Sequence, residues 1–106
     1  MPVVVRDVAE RSRYEVLVDG EPGGLLAYRL RGGGGRVQVD LVHTEVDEAY
    51  AGRGLARALA VHALDAAREA GHEVLPSCPF VAELIRRDPS YADLVPAGVR
   101  AELGLG

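Results

Sequence analysis

Residues 36–75 read RVQVDLVHTE VDEAYAGRGL ARALAVHALD AAREAGHEVL. In the first block Val37, Val39 and Leu41 alternate with Arg36, Gln38 and Asp40, the period of two that marks a strand with one buried face. Carried on to His43, the same parity continues the face of Val39 and Leu41, so one of two readings of that histidine is a packed residue bonded to the backbone, the other a group open to a substrate. Beyond Asp47 the period lengthens. Leu55, Leu59, Ala63, Ala66 and Ala70 recur every three or four residues, with Arg53, Arg57, Asp65, Arg68 and His72 as a polar stripe, so the spacing predicts an amphipathic helix. Its alanines let the backbone lie close to a sheet, and Gly71 supplies the left-handed residue that ends it. Glu73-Val74-Leu75 follows as a short buried strand, which completes a strand-helix-strand crossover.

Working outward, residues 13–19 alternate as a strand, and Asp19-Gly20 with Pro22-Gly23-Gly24 provides turn residues. Residues 25–30 form the second strand of a hairpin, and Gly32-Gly33-Gly34-Gly35 reads as a four-glycine turn into the strand above. Residues 3–8 add an edge strand in front. On the far side, Pro79 suits a first helical position with Cys78 or Ser77 as cap, and the helix through Val81, Leu84 and Ile85 stops before Asp88-Pro89. Residues 96–106 have little to pack. The expected fold is α+β (α/β): an antiparallel sheet of three to four strands, then helix, strand, helix.

The chain has 106 residues, which suits one domain spanning residues 1–106, with a core of about 13–95 and a tail over 96–106. Twelve cations against sixteen acidic residues give a net charge of −4, which argues against nonspecific nucleic-acid or anionic-membrane binding. Every cation is arginine, so a Schiff-base lysine and a phosphate-loop lysine are excluded. With one cysteine and three histidines, neither an internal disulfide nor a cysteine-rich zinc cluster can form, and a reducing cytoplasm is the expected setting. No metal is expected, and the expected state is a monomer or weak homodimer.

Between the strand and the helix of the opening stretch lies Ala51-Gly52-Arg53-Gly54-Leu55-Ala56. Small residues there leave the amides of the helix start open, the dipole behind them favours anions, and Arg53 and Arg57 add charge, so a pyrophosphate fits. Neither the three-glycine dinucleotide spacing nor a lysine-bearing phosphate loop is present. The same glycines would also serve a purely structural turn.

The segment resembles the acyl-CoA pyrophosphate loop of the GNAT acetyltransferases, Gln/Arg-x-x-Gly-x-Gly/Ala, with Gly54 and Ala56 matching and Ala51 departing from the first position. Together with His43-Thr44-Glu45-Val46, Pro76-Ser77-Cys78-Pro79-Phe80-Val81 and Asp88-Pro89-Ser90-Tyr91, it is similar to the short single-domain GNAT-like family. The resemblance implies a minimal fold around a central acetyl-CoA site, with coenzyme A thioester as co-substrate and an amine as acceptor. It implies that the backbone of residues 43–46, Thr44 and Val46 included, bonds the pantetheine. The turn of Ala51, Gly52, Arg53, Gly54, Leu55, Ala56 and Arg57 would hold the pyrophosphate, and Phe80 would pack either on the pantetheine or in the core.

Cys78 sits at a helix start, where the dipole favours thiolate. By the resemblance it either receives the acetyl group or protonates the departing thiolate. His43 and Glu45 share one strand face and are the candidates for taking the amine's proton. Arg86 and Arg87 either reach the nucleotide phosphates or solvate the helix end, and by the resemblance Tyr91 closes the pocket or anchors the tail, the anchor being the favoured expectation. The expected function is acetyl transfer to an amine. The alternatives are a non-catalytic coenzyme A or acyl-CoA binding module and a partner-binding domain in which the glycines and Cys78 are structural.

Overall fold

A computed structural model describes residues 2–105. Five strands form one sheet in chain order: β1 (Val3–Val8), β2 (Arg13–Val18), β3 (Glu21–Gly33), β4 (Arg36–Val46) and β5 (Glu73–Leu75). The first three pairings are antiparallel and β4 with β5 is parallel, as a helical crossover requires. Helices α1 (Leu55–Ala70), α2 (Pro79–Arg87) and α3 (Ala97–Leu103) complete the chain. Thus the edge strand and the crossover form where the alternation and the helical spacing put them, and the sheet is mixed.

The strands of the long hairpin exceed the expectation. Of the four consecutive glycines only Gly34 and Gly35 adopt positive φ (53° and 89°), so the turn is confined to them, and the β3–β4 ladder runs on to Gly33 opposite Arg36. Likewise Asp19 and Gly20 make the preceding turn (φ 50° and 82°), while Pro22, Gly23 and Gly24 lie within β3. Val16 pairs with Gly24 and Leu17 with Pro22, which leaves Gly23 as an extra, bulged residue. At Gly24 a Cβ would stand 2.5 Å from the Glu45 carbonyl oxygen, closer than any real contact. Gly24→Ala is therefore expected to force β3 from β4 and destabilise the fold by about 1–3 kcal/mol. Gly98, with open space around it and an ordinary φ inside α3, is the control, and its alanine variant should hold or raise Tm. Equal melting curves for the two variants would contradict the account.

Tyr14, Val16 and Val18 of β2, Leu26 and Tyr28 of β3, Val39 and Leu41 of β4, and Val74 meet Leu55, Leu59, Ala60, Ala63, Leu64 and Ala67 of α1 in the core. Burying each such leucine contributes about 1.5–3 kcal/mol. Ala66 and Ala70 lie outside this stripe, because the close contact with the sheet follows Ala60, Ala63 and Ala67.

The tail corrects the sequence reading. Residues 97–103 are helical, Leu105 is buried in the core, and Arg86 donates to the Leu103 carbonyl oxygen at 2.8 Å. The segment between α2 and α3 is clasped to α1 as well. Arg68 forks onto Asp93 at 2.9 and 3.0 Å and reaches the Ser90 carbonyl at 2.7 Å, and Tyr91 donates to Asp65 at 3.0 Å. Tyr91 is an anchor. The Arg68 hydrogen bonds hold the Asp93 carboxyl below its usual range of about 3.9, so this contribution is complete above that value and is lost as pH falls through the lower folded value. Hydrogen-exchange protection factors of residues 89–94 should therefore fall in acid before those of α1, and Asp93→Asn should remove the difference.

Candidate active site

The parallel pairing of β4 with β5 covers only Gln38 to Asp40 against Glu73 to Leu75. It closes with the Cys78 amide donating to the Leu41 carbonyl at 2.8 Å, and β4 continues to Val46 while the chain after β5 turns into α2. The two strands thus open into a wedge whose edge is the far half of β4.

A bulge decides what that edge presents. Ala27 pairs with His43 and Tyr28 with Leu41, so Val42 is the extra residue and the alternation of β4 reverses across it. Thr44 now shares the core face with its partner Leu26, and Val46 packs against the core. His43 and Glu45 point outward, with side chains 62% and 63% exposed. His43 is therefore no packed histidine, because the bulge breaks the parity with Val39 and Leu41. The Asp47 amide donates to the Gly23 carbonyl at 2.9 Å. Since alternate residues of an antiparallel pair direct both backbone groups at the partner, Glu45 and His43 follow Asp47 toward β3. Thr44 and Val46 direct theirs the other way, into the wedge.

At the mouth of the wedge stands the start of α1. Asp47 accepts from the Ala49 amide at 2.9 Å and starts the short 3₁₀ turn Glu48–Tyr50, so it is a structural cap. Gly52 and Gly54 then take φ of 79° and 76°, a region costly to any residue with a Cβ, and the α1 N-terminus carries no side-chain cap. Val46, Gly52, Gly54, Ala56, Arg57 and Phe80 border a cavity of about 340 Å³ in front of its amides, which Ala51 and Leu55 also line. The Arg53 guanidinium lies 5.6 Å from the Tyr50 ring centroid. Arg57 and Phe80 also border an adjoining cavity of about 250 Å³, shared with Arg87 and Glu83. Phe80 is 41% exposed and faces this space. Arg86 turns away, to Glu83 and to the end of α3.

Cys78 caps α2 and is only 4% exposed. Its Sγ lies 3.3 Å from Thr44 Oγ1, within hydrogen-bond reach with either as donor. The loop that carries it is held by Ser77 Oγ donating to the buried Asp40 carboxylate at 2.5 Å. His43 Nε2 stands 3.7 Å from Glu45 Oε2 on the opposite face of β4. Two pairs, Thr44–Cys78 inside and His43–Glu45 outside, thus flank one open backbone edge. The Thr44 hydroxyl and the Asp40–Ser77 brace went unread in the sequence, since nothing in a threonine or aspartate on an alternating strand marks its partner. Among the described residues no group of histidine, cysteine and carboxylate side chains is arranged to hold a metal.

A mixed sheet splayed between its fourth and fifth strands, with an uncapped helix start behind a glycine turn at the splay, defines the acetyltransferase fold. Solved structures with this architecture include a ribosomal-protein-alanine N-acetyltransferase from Brucella melitensis (TM-score 0.57, 22% identity, 80% of this chain and 58% of that one). An aminoglycoside acetyltransferase from a soil metagenome, in complex with sisomicin, superposes with TM-score 0.57 at 13% identity over 74% of this chain and 55% of its own. The chain thus spans little more than half the length of either solved protein. Residues 13–94 match the GCN5-related N-acetyl-transferase family, and the chain belongs to it. Protein NATD1 of Mus musculus is 33% identical over 89 residues, 83% of this chain and 78% of its own length. The Homo sapiens protein of the same name is equally similar, over 76% of its length.

Proposed function

We propose that this chain transfers an acetyl group from acetyl-CoA to an amine. The observation that carries the reading is the continuity of the wedge edge at Thr44 and Val46 with the cavity before the uncapped α1 amides. An extended amide-bearing arm fits the first, whose backbone groups have no strand partner beyond the end of β5, and a pyrophosphate fits the second, whose helix-start amides have no side-chain cap. The loss of a loop glutamine or arginine at Ala51 leaves that cradle intact, since it is built from main chain. Phe80 and Arg57 would meet the pantetheine and the phosphates.

Acetyl-CoA supplies an activated acyl group as its thioester. In the transfer the thioester C–S bond breaks, an amide C–N bond forms, the amine loses a proton and the thiolate gains one. The exposed His43–Glu45 pair is suited to take the first proton, and the Cys78 thiol to deliver the second, with the Thr44 hydroxyl fixing its rotamer. Calorimetry with acetyl-CoA and a thiol-release assay with amine acceptors test the reading. Saturable binding with release dependent on the amine supports it; binding without any amine-dependent release leaves a coenzyme A binding module, and no binding removes both.

Charge at the loop gives a graded expectation. Arg53→Glu should weaken acetyl-CoA binding severalfold, and more at low ionic strength than at 0.5 M salt, because screening shortens the reach of an exposed charge to a few ångströms. An effect independent of salt would mean that Arg53 acts only through the Tyr50 contact.

A further inference from the structure

The outer face of the sheet carries a groove of about 430 Å³. It crosses β2, β3 and β4 along the cross-strand row Glu15, Leu25 and Glu45. Val46 borders both this groove and the cavity before α1, so the two meet at the end of β4. At one end stand Arg11 and Arg13; at the other, Glu45 and Asp47. The charges at the first end are unequal in their engagement. Arg13 grips Glu15 at 2.8 Å and holds its carboxyl below the usual range, and Arg6 reaches the same group at 3.5 Å. Arg11 has no hydrogen-bond or ion-pair partner among the described residues. The groove is therefore polarised, with an uncommitted guanidinium across from Glu45. Two strand spacings of about 4.8 Å, roughly 10 Å in all, separate Glu15 and Glu45 at the β2 and β4 ends of the row, and Arg11 lies four residues before Glu15, just ahead of β2.

We infer that the acceptor is a small amine that also carries a carboxylate several bonds away, its ammonium end at Glu45 and its carboxylate at Arg11. The inference rests on the acetyl transfer proposed above and names its substrate class. A guanidinium matches a carboxylate bidentately, which makes Arg11 a geometric as well as an electrostatic selector. Diamines and polycationic acceptors meet a repulsive end instead, since Arg11 and Arg13 outnumber the one carboxylate beside them. Leu25, half-buried at the middle of the row, suits the methylene chain between the two charges.

The test compares 4-aminobutyrate and 6-aminohexanoate with butylamine and hexylamine as acceptors at saturating acetyl-CoA, with acetyl-CoA affinity measured in parallel. The amino acids should show at least tenfold higher kcat/KM than the alkylamines of equal length, and Arg11→Gln should bring the ratio close to one. A chain that binds acetyl-CoA and acetylates alkylamines or putrescine as well as the amino acids overturns the inference and leaves the proposed transfer standing. Should no acceptor turn over, an NMR titration with 6-aminohexanoate decides. Shifts centred on Arg11, Leu25 and Glu45 that vanish in Arg11→Gln support the site, and their absence overturns it.

Discussion

Ala56→Glu is expected to leave the chain folded and, if acetyl-CoA binds as proposed, to lower its affinity for that ligand by more than tenfold. Ala56 is in the first turn of α1 and borders the cavity in front of the free amides. A carboxylate there interacts favourably with the helix dipole, by about 0.3–1 kcal/mol, so Tm should be unchanged or slightly higher. Under the proposed function the same carboxylate would compete with a phosphate of acetyl-CoA for the space before those amides. Like charges about 4 Å apart repel by about 1–4 kcal/mol at the effective dielectrics of water and of a protein surface, and tenfold in affinity corresponds to about 1.4 kcal/mol. Calorimetry with acetyl-CoA, next to a thermal melt of the same sample, checks both halves of the expectation. Gly54→Val would also weaken binding, but the left-handed φ of Gly54 makes valine strained by about 1–2 kcal/mol and confounds stability with access. A folded Ala56→Glu variant that binds acetyl-CoA as the native chain does would remove the α1 start as the phosphate site.

Cys78→Ala should lower turnover at least a hundredfold while acetyl-CoA affinity stays within a fewfold, because a proton given to the leaving thiolate matters only in the transition state. The affinity expectation follows from the structure. Cys78 is held by its amide on Leu41 and by its place at the start of α2, and neither depends on sulfur. Removing a buried thiol also leaves a small cavity, so a loss of about 1 kcal/mol in stability is expected with either a chemical or a structural role. A near-native rate with that same loss would end the catalytic reading of Cys78 and leave direct attack on the thioester with His43–Glu45 relaying the proton. Thr44→Val separates the remaining cases. It removes the hydroxyl 3.3 Å from Sγ, and should cost about tenfold in rate if that hydroxyl orients the thiol. A hydroxylamine-labile acetyl group on Cys78 in the mass spectrum would instead show a two-step route through the sulfur.

Much of this architecture is written in local periodicity. The period of two in residues 13–19 and 36–41, the shift to helical spacing from Leu55, the stop at Gly71 and the start at Pro79 each follow from the covalent preferences of a few neighbouring residues. The glycine turn before α1, proposed above as the phosphate cradle, was legible as a turn for the same reason, since Gly52 and Gly54 adopt a conformation that only their own lack of a Cβ makes cheap. The outward face of His43 was not. Val42 is bulged because β3 and β4 pair on both sides of it, and a single extra residue reverses every side chain beyond it. No local pattern in His43-Thr44-Glu45-Val46 records that reversal, which alone brings Thr44 to Cys78 and turns Glu45 toward the outer groove. The tail is similar. Leu103 and Leu105 are too few to announce a packed segment by periodicity, and they pack because α1 and α2 have already built the surface and Arg86 the anchor that receives them. Sequence thus determined the elements and the glycine turn before α1, whose causes lie within a few residues. Which side chains face one another across the wedge was decided only by tertiary pairing, because register and burial are set by partners distant in the chain.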